Sequence, residues 1–291
     1  MSISGQNLSI VIVTLKSDKV IHNCIKSIKL NIPIIVIENS KNLKFKQELE
    51  SQYKNVECIL TQSNLGMGAG NNIGIKNAKT NYVMILNPDV ILEENTLDKI
   101  YLASKQIENF SIMAPISSNE NYPNFKILKD KNNNINKNLA FKVDYIDGYA
   151  MLLDKSKFKD NIFFDENFFL YLENDDLCFR VNKSGGNIFI IPNSKIKHLG
   201  SKAVDSKYSD EVELSRNWHW LWSKFYFNKK NFGIVKALKE CFPTFISSII
   251  KFLFYLITNN KIKRKKYFNR ASGFFNAFLG KPSWYRPIIN D

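Results

Sequence analysis

The chain has 291 residues, 44% of them apolar, and a formal charge of +14. That length suits one large domain with an appendage or two small domains, and the apolar content excludes wholesale disorder. The charge is uneven: from Leu214 to Asp291 there are 11 Lys and 4 Arg against Glu240 and Asp291, a net of +13, which leaves about +1 for the first 213 residues. The same stretch holds 19 of the 38 aromatic residues and all four Trp, so the asymmetry needs a regional cause. A division into 1–213 and 214–291 is expected. Cys24, Cys58, Cys178 and Cys241 are far apart and sit in apolar contexts, which predicts buried thiols in a reducing compartment rather than disulfides or a metal cluster. The opening Met-Ser-Ile-Ser-Gly has no basic region followed by an apolar run, so no signal peptide is expected.

Leu8–Thr14 (LSIVIVT) is a β-branched run of the kind found in strands covered on both faces. Asp18–Leu30 has apolar residues at helical spacing, and Ile32–Ile37 is a second strand closed by Glu38-Asn39-Ser40. Leu43–Tyr53 predicts a helix and Val56–Leu60 a third strand. The Gly/Asn-rich stretch Asn64–Gly74 follows, its later half opening a helix, and Tyr82–Leu86 is a fourth buried strand ending at Asn87-Pro88-Asp89. Strands alternating with helices in this way predict βαβ units and a mostly parallel sheet, with ligands at the carboxyl ends of its strands. Lys126–Lys137 is polar and low in complexity, and is expected to be a mobile loop. Val143–Asp154 alternates like a strand around Gly148. Within Asp165–Gly185 an acidic cluster opens a helix, and Asn187–Pro192 and Lys195–His198 are expected as two short strands.

Three stretches carry candidate chemistry. Gly66, Gly68 and Gly70 in the Asn64–Gly74 loop would let backbone N–H groups approach a diphosphate. A dinucleotide fingerprint would follow the first strand and end in glycine; this loop follows the third strand and has Asn71 at that position, which argues against a dehydrogenase. Asp89, a hard carboxylate at the end of a buried strand, suits a divalent cation such as Mg²⁺ or Mn²⁺ bridging phosphate oxygens. Glu173, Asp175 and Asp176 place three carboxylates in four residues, costly to bury unless a cation or a function offsets them; an acidic first helical turn is the alternative account.

In this order, Ile10–Thr14, Ile35–Ser40, Asn64–Ile75, Val83–Val90, Gly148–Leu153, Phe164–Arg180 and His198–Ser201 resemble the family 2 glycosyltransferases, particularly the rhamnosyltransferase-like branch that builds bacterial surface polysaccharides. The resemblance spans about residues 8–230. It implies an α/β fold of GT-A type, with a Rossmann-like nucleotide-binding domain and a mostly parallel central sheet. It implies Thr14 beside the nucleotide, Glu38 on base or ribose, and Asn64, Gly66 and Asn72 around the sugar-diphosphate. Asp89 matches the last position of the family's D-x-D-type metal motif, Asn87 replaces its first Asp, and His198 resembles a residue approaching the metal or diphosphate from the far side. The family's usual catalytic base position is held by Asn174, so the base is expected among Asp176 first, then Asp175, with Glu173 as a further alternative. The implied reaction is inverting transfer of a sugar (rhamnose or another hexose) from a nucleotide-sugar donor to a glycan or lipid-linked acceptor. A diphosphate leaves well once a cation takes up its charge, so one carboxylate acting on the acceptor hydroxyl suffices.

The tail differs in kind. Phe245–Ile257 is 13 apolar-rich residues with Lys251 inside, shorter than the ~20 a spanning helix needs, and Lys261–Lys266 (KIKRKK) follows. An apolar face with adjacent cations and aromatics predicts a helical region lying on an anionic membrane surface, on the inner face of the cell membrane; packing on the catalytic domain is the alternative. No nucleic-acid motif accompanies it, so no nucleic-acid partner is expected. Two rival functions fit the same residues: a GT-A-fold membrane scaffold without chemistry, motivated by Asn87 and Asn174, and a sugar nucleotidyltransferase.

Overall fold

The computed structural model describes residues 7–29, 31–128, 139–200 and 202–289. Most of the polar stretch expected as a loop, residues 129–137, lies outside the described residues, as does Ser201. The chain forms two compact units: residues up to 65, 69–165 and 174–205 make the first, and 66–68, 166–173 and 206 onward make the second.

The first unit is built on a nine-stranded sheet. Its strands are β1 (Leu8–Thr14), β2 (Ile34–Glu38), β3 (Val56–Leu60), β4 (Tyr82–Leu86), β5 (Val90–Leu92), β6 (Ile112–Ser117), β8 (Phe141–Lys142), β10 (Ala150–Asp154) and β11 (Ile188–His198). A separate ribbon pairs β7 (Phe125–Lys126) with β9 (Tyr145–Ile146). The spatial order is β3-β2-β1-β4-β10-β6-β11-β5, with β8 also on β11. Strands β1 to β4 run parallel, and β6 and β11 share their direction because β10 is antiparallel to both β4 and β6. Strand β5 is antiparallel to β11. The mostly parallel sheet expected from the sequence is therefore present, with reversed strands inserted.

Those reversals position the site. The carboxyl ends of β1, β2, β4, β6 and β11 share one edge, and the residues just before the reversed strands β5 and β10 are brought to that same edge. Asp89 and the Asp147–Tyr149 turn thereby join Thr14, Glu38, Asn87 and His198. Helices α1 (Asp18–Ser27), α2 (Leu43–Gln52), α3 (Met67–Asn77), α4 (Thr96–Gln106) and α5 (Glu173–Lys183) alternate with these strands along the chain. Helix α1 buries Ile21, Cys24 and Ile25 at i, i+3, i+4 spacing, and α2 buries Phe45 and Leu49 after Asn42 caps its start by accepting from the Phe45 N–H at 3.0 Å. At Gly74 in α3 a Cβ would sit 2.3 Å from the Val11 side chain, so glycine lets this helix close on β1. Two expected strands at 187–198 are one, β11, which keeps its pairing with β6 through an irregularity between Ile191 and Lys195; Pro192 and Asn193 occupy that interruption, which the sequence pattern presents as an end.

The second unit is helical. Helices α6 (Ser209–Phe232), α7 (Ile234–Ile257) and α8 (Lys261–Phe278) pack around Trp218, Leu221, Trp222, Phe225, Ala237, Cys241, Phe274 and Ala277. The segment 166–173 is tied into this unit: the Ser223 hydroxyl donates to the Leu170 carbonyl at 2.8 Å and Ser283 to Asn167 at 2.6 Å, and the Arg286 guanidinium lies 3.8 Å from the Phe169 ring centroid. Helix α7 corrects the 13-residue segment predicted from Phe245. It runs 24 residues, continues through Pro243, and is long and apolar enough to cross a membrane by length and composition. Lys236, Lys239 and Glu240 dilute its first turns and hide that length in the sequence. All four cysteines are buried thiols, and burial pushes each of them up to about 12.

Candidate active site

Register explains the first cluster. Thr14 pairs with Glu38 across β1 and β2, and the Thr14 hydroxyl donates to Glu38 Oε2 at 2.5 Å. The Ser40 N–H donates to Oε1 at 2.7 Å, and the Ser40 hydroxyl also donates there. Burial raises the Glu38 carboxyl above its ordinary value, and the bonds from Ser40 and Thr14 oppose that rise. The sequence reading missed Asn39 and Thr61. The Thr61 hydroxyl lies 3.1 Å from Asn39 Oδ1, which also accepts from the Leu65 N–H at 3.4 Å, fastening the β2 end to the glycine-rich segment. A polar residue directly after a buried strand was the available signal.

The expected sugar-diphosphate residues fall into different settings. Asn64 is half-buried in the first unit. Asn72 is buried, and its amide makes two 2.9 Å bonds to the Phe164 backbone, donating to the carbonyl and accepting from the N–H. Gly66 belongs with the second unit; it has φ +85°, and a Cβ there would meet the Phe169 carbonyl at 2.2 Å, so only glycine fits.

Asp89 and His198 meet because Val90 of β5 is in register with His198 of β11. His198 Nε2 is 3.4 Å from Asp89 Oδ1. Asp89 is 1% exposed; its Oδ2 accepts from the Lys202 N–H at 3.2 Å, while Oδ1 is buried with no hydrogen-bond partner among the described residues. The Asn87 side-chain oxygen is likewise buried without one. The imidazole stacks on the Tyr149 ring at 4.1 Å between centroids, which fixes its plane. Two buried oxygens and an imidazole nitrogen are hard or borderline donors at a strand end, a set that fits a divalent cation keeping other positions open. Among the described residues no three His, Cys, Asp or Glu side chains converge as an all-protein cage.

The acidic helix separates its candidates. Asp176 is fully buried and receives the Arg180 Nε–H at 2.9 Å, while Arg180 also donates to the Phe163 carbonyl. Asp175 keeps 20% of its side chain exposed, with Lys126 Nζ 3.9 Å away. Burial holds its carboxyl above the ordinary value, Lys126 opposes the rise, and the Asp147 charge adds to it. Asn174, at the family's base position, donates to the Ile146 carbonyl at 2.9 Å. Glu173 belongs with the second unit. Asp147 was missed by sequence reasoning. Burial raises its carboxyl too, while the charges of Lys126 and His198 pull it down. Its position before the reversed strand β10 was the signal, and it is legible only once that reversal is known.

Residues 9–162 match the description Glycosyl transferase family 2, more than half of the chain. The chain is 27% identical over 203 residues to the low-salt glycan biosynthesis hexosyltransferase Agl10 of Haloferax volcanii, covering 62% of this chain and 64% of that protein. It is 26% identical over 234 residues to the rhamnosyltransferase WbbL of Escherichia coli K12, covering 70% of this chain and 88% of that one. In fold it is similar to the structure of GalNAc-T7 with UDP, GalNAc and Mn²⁺ (TM-score 0.55, 14% identity, 73% of this chain and 51% of the other). It is also similar to residues 1–349 of S. aureus TarS (TM-score 0.53, 13% identity, 96% and 93%). With its GT-A-type α/β fold, the chain belongs to glycosyl transferase family 2.

Proposed function

We propose that the protein is an inverting, metal-dependent glycosyltransferase that moves a hexose, rhamnose among the candidates, from a nucleotide-sugar to a glycan or lipid-linked acceptor. The observation that carries this reading is the Asp89–His198 pair at the carboxyl edge of a family 2 sheet, with Asp89 Oδ1 buried and without a hydrogen bond among the described residues. Asp89 and His198 would hold Mg²⁺ or Mn²⁺, which when bound neutralises the charge of a departing diphosphate. Thr14, Glu38, Asn64, Gly66, Asn72 and Asn87 are proposed to form and support the nucleotide-sugar site; Glu38 and Asn72 do so while engaged in bonds that hold Thr14, Ser40 and Phe164.

For the base we propose Asp175 in place of Asp176. A fully buried carboxylate already paired with Arg180 is poorly placed to take an acceptor proton, whereas Asp175 is partly open and its raised carboxyl is a stronger base. Asp175 would accept the hydroxyl proton, and the freed oxygen would attack the anomeric carbon opposite the diphosphate. Glu173 is proposed as the further alternative.

The region 214–291 is proposed to rest on the anionic inner surface of the membrane. Val235, Phe242, Ile246, Ile250, Leu253 and Ile257 form an exposed stripe on α7, and Lys261, Lys263 and Lys265 of α8 face solvent. The competing scaffold reading draws on Asn174, whose amide is committed to backbone. Incubation with a panel of nucleotide sugars, Mn²⁺ and membrane glycolipids decides between them: release of free nucleoside diphosphate, abolished by chelator, supports transfer. Retained donor binding with no release would establish the scaffold, and release of pyrophosphate a nucleotidyltransferase.

A further inference from the structure

The second unit contains a cavity of about 330 Å³ lined by Tyr171, Glu213, Arg216, Asn217, Trp220 and Arg270, a size typical of small-ligand sites. Its charges are unequally matched. Glu213 receives Lys266 Nζ at 2.7 Å and the Asn217 amide at 2.9 Å, so its charge is met from outside the arginine pair. Arg270 is oriented by a neutral group, with Nε 3.1 Å from Asn217 Oδ1. Arg216 makes no hydrogen bond or ion pair among the described residues; it acts only through space, on Tyr171 and Glu213. Two guanidinium groups thus line one cavity without a carboxylate dedicated to either.

The aromatic wall is shaped as well. Trp220 is 42% exposed, and the Tyr171 ring stands perpendicular to it at 5.6 Å between centroids. Tyr171 and Leu172 hold φ of 69° and 66°, left-handed values that cost non-glycine residues energy and persist where surrounding structure enforces them.

We propose that this cavity is an acceptor subsite for a phosphorylated sugar, with phosphate oxygens on Arg216 and Arg270 and the C–H face of the sugar ring on Trp220. Planar guanidinium forks suit phosphate oxygens, and an indole offers apolar surface beside a polar rim. The assignment rests on the transferase reading and adds to it the chemical class of acceptor. The phosphate belongs either to a lipid diphosphate carrying the sugar or to a phosphate within a glycan.

Calorimetric titration of the full chain in EDTA, with glucose 1-phosphate as probe and glucose as the neutral control, tests this without requiring metal or turnover. Glucose 1-phosphate should bind and glucose should not. Arg216→Ala should weaken binding about ten- to hundredfold, and Arg216→Lys, which keeps the charge and loses the fork, should fall between. Lys229→Ala, an exposed cation that does not line the cavity, should leave binding unchanged. Competition by monomeric farnesyl diphosphate assigns the phosphate to a lipid carrier; lack of competition assigns it to the glycan. Equal binding by wild type and both folded Arg216 variants, or equal binding of glucose, overturns the subsite. Binding that depends on Arg216 in a protein that releases no nucleoside diphosphate would sink the transferase reading alone.

Discussion

The two units solve the placement of charge in opposite ways. Residues 1–213 carry about one net charge, and the carboxylates of the first unit are each held by named partners: Glu38 by Thr14 and Ser40, Asp176 by Arg180, Asp89 by the Lys202 N–H. Residues 214–291, the helical part of the second unit, hold a net of +13 and leave much of it in solvent beside exposed apolar side chains. Buried, oriented charge suits bond-making chemistry, because a low-dielectric setting magnifies each interaction. Exposed, redundant charge suits a diffuse anionic surface, where every cation contributes a small, salt-screened share.

The comparison is broken most sharply at the acidic helix. Asp175→Asn should lower kcat by about 10²–10⁴ while donor binding holds, the range expected when a general base is removed. Asp176→Asn should instead lower the melting temperature, since removing one partner of a buried pair costs about 3–5 kcal/mol. Full activity of Asp175→Asn returns the base to another carboxylate. The pH profile adds a sign: Asp175 must be ionised to take a proton and its carboxyl is raised, so activity should begin to fall, as the solution is acidified, above the ordinary value of 3.8.

A smaller effect is expected from the surface of α8. Replacing Lys261, Lys263 and Lys265 together with Gln should weaken binding to anionic vesicles on the order of a hundredfold, with a remainder that salt does not remove. These three are preferred to Lys266, whose loss would also release Glu213. Cosedimentation with neutral and anionic vesicles checks it; equal binding to both would remove the electrostatic account.

The smallest effect concerns His219, buried with Nε2 2.8 Å from the Tyr285 carbonyl. Burial depresses it from 6.5 to about 3, so it stays neutral in the fold and takes up a proton on unfolding. Its contribution is present above pH 6.5 and is lost as pH falls toward about 3, by roughly 1 kcal/mol per pH unit. Tryptophan fluorescence reports on the second unit, which holds all four Trp, and His219→Gln should flatten this part of the slope. An unchanged slope would show that His219 is not the group responsible.

Strand β1 was legible residue for residue because its continuous β-branched run has no competing period, and β3 (VECIL) and β4 (YVMIL) because each is a five-residue, mainly apolar segment too short for a helix. The Asp89 and His198 candidates were legible as motif positions, but their meeting depends on the antiparallel pairing of β5 with β11, which no local pattern encodes. Asp147 was hidden for the same reason. The choice between Asp175 and Asp176 turns on which neighbour faces Arg180, an i, i+4 relation visible in the sequence but ambiguous while the buried side of the helix was unknown. The full length of α7 was obscured by cations and a proline in its first half.

In the proposed mechanism donor chemistry rests on Asp89, while membrane binding rests on the basic helical unit. One paired measurement tests it directly: nucleoside diphosphate release and anionic-vesicle binding, recorded on the same preparation of Asp89→Ala. The account predicts a fall in release of about a thousandfold, as expected when several kcal/mol of charge stabilisation are lost, together with unchanged vesicle binding. Release at the wild-type rate, or loss of both properties in a protein that remains folded, would contradict it.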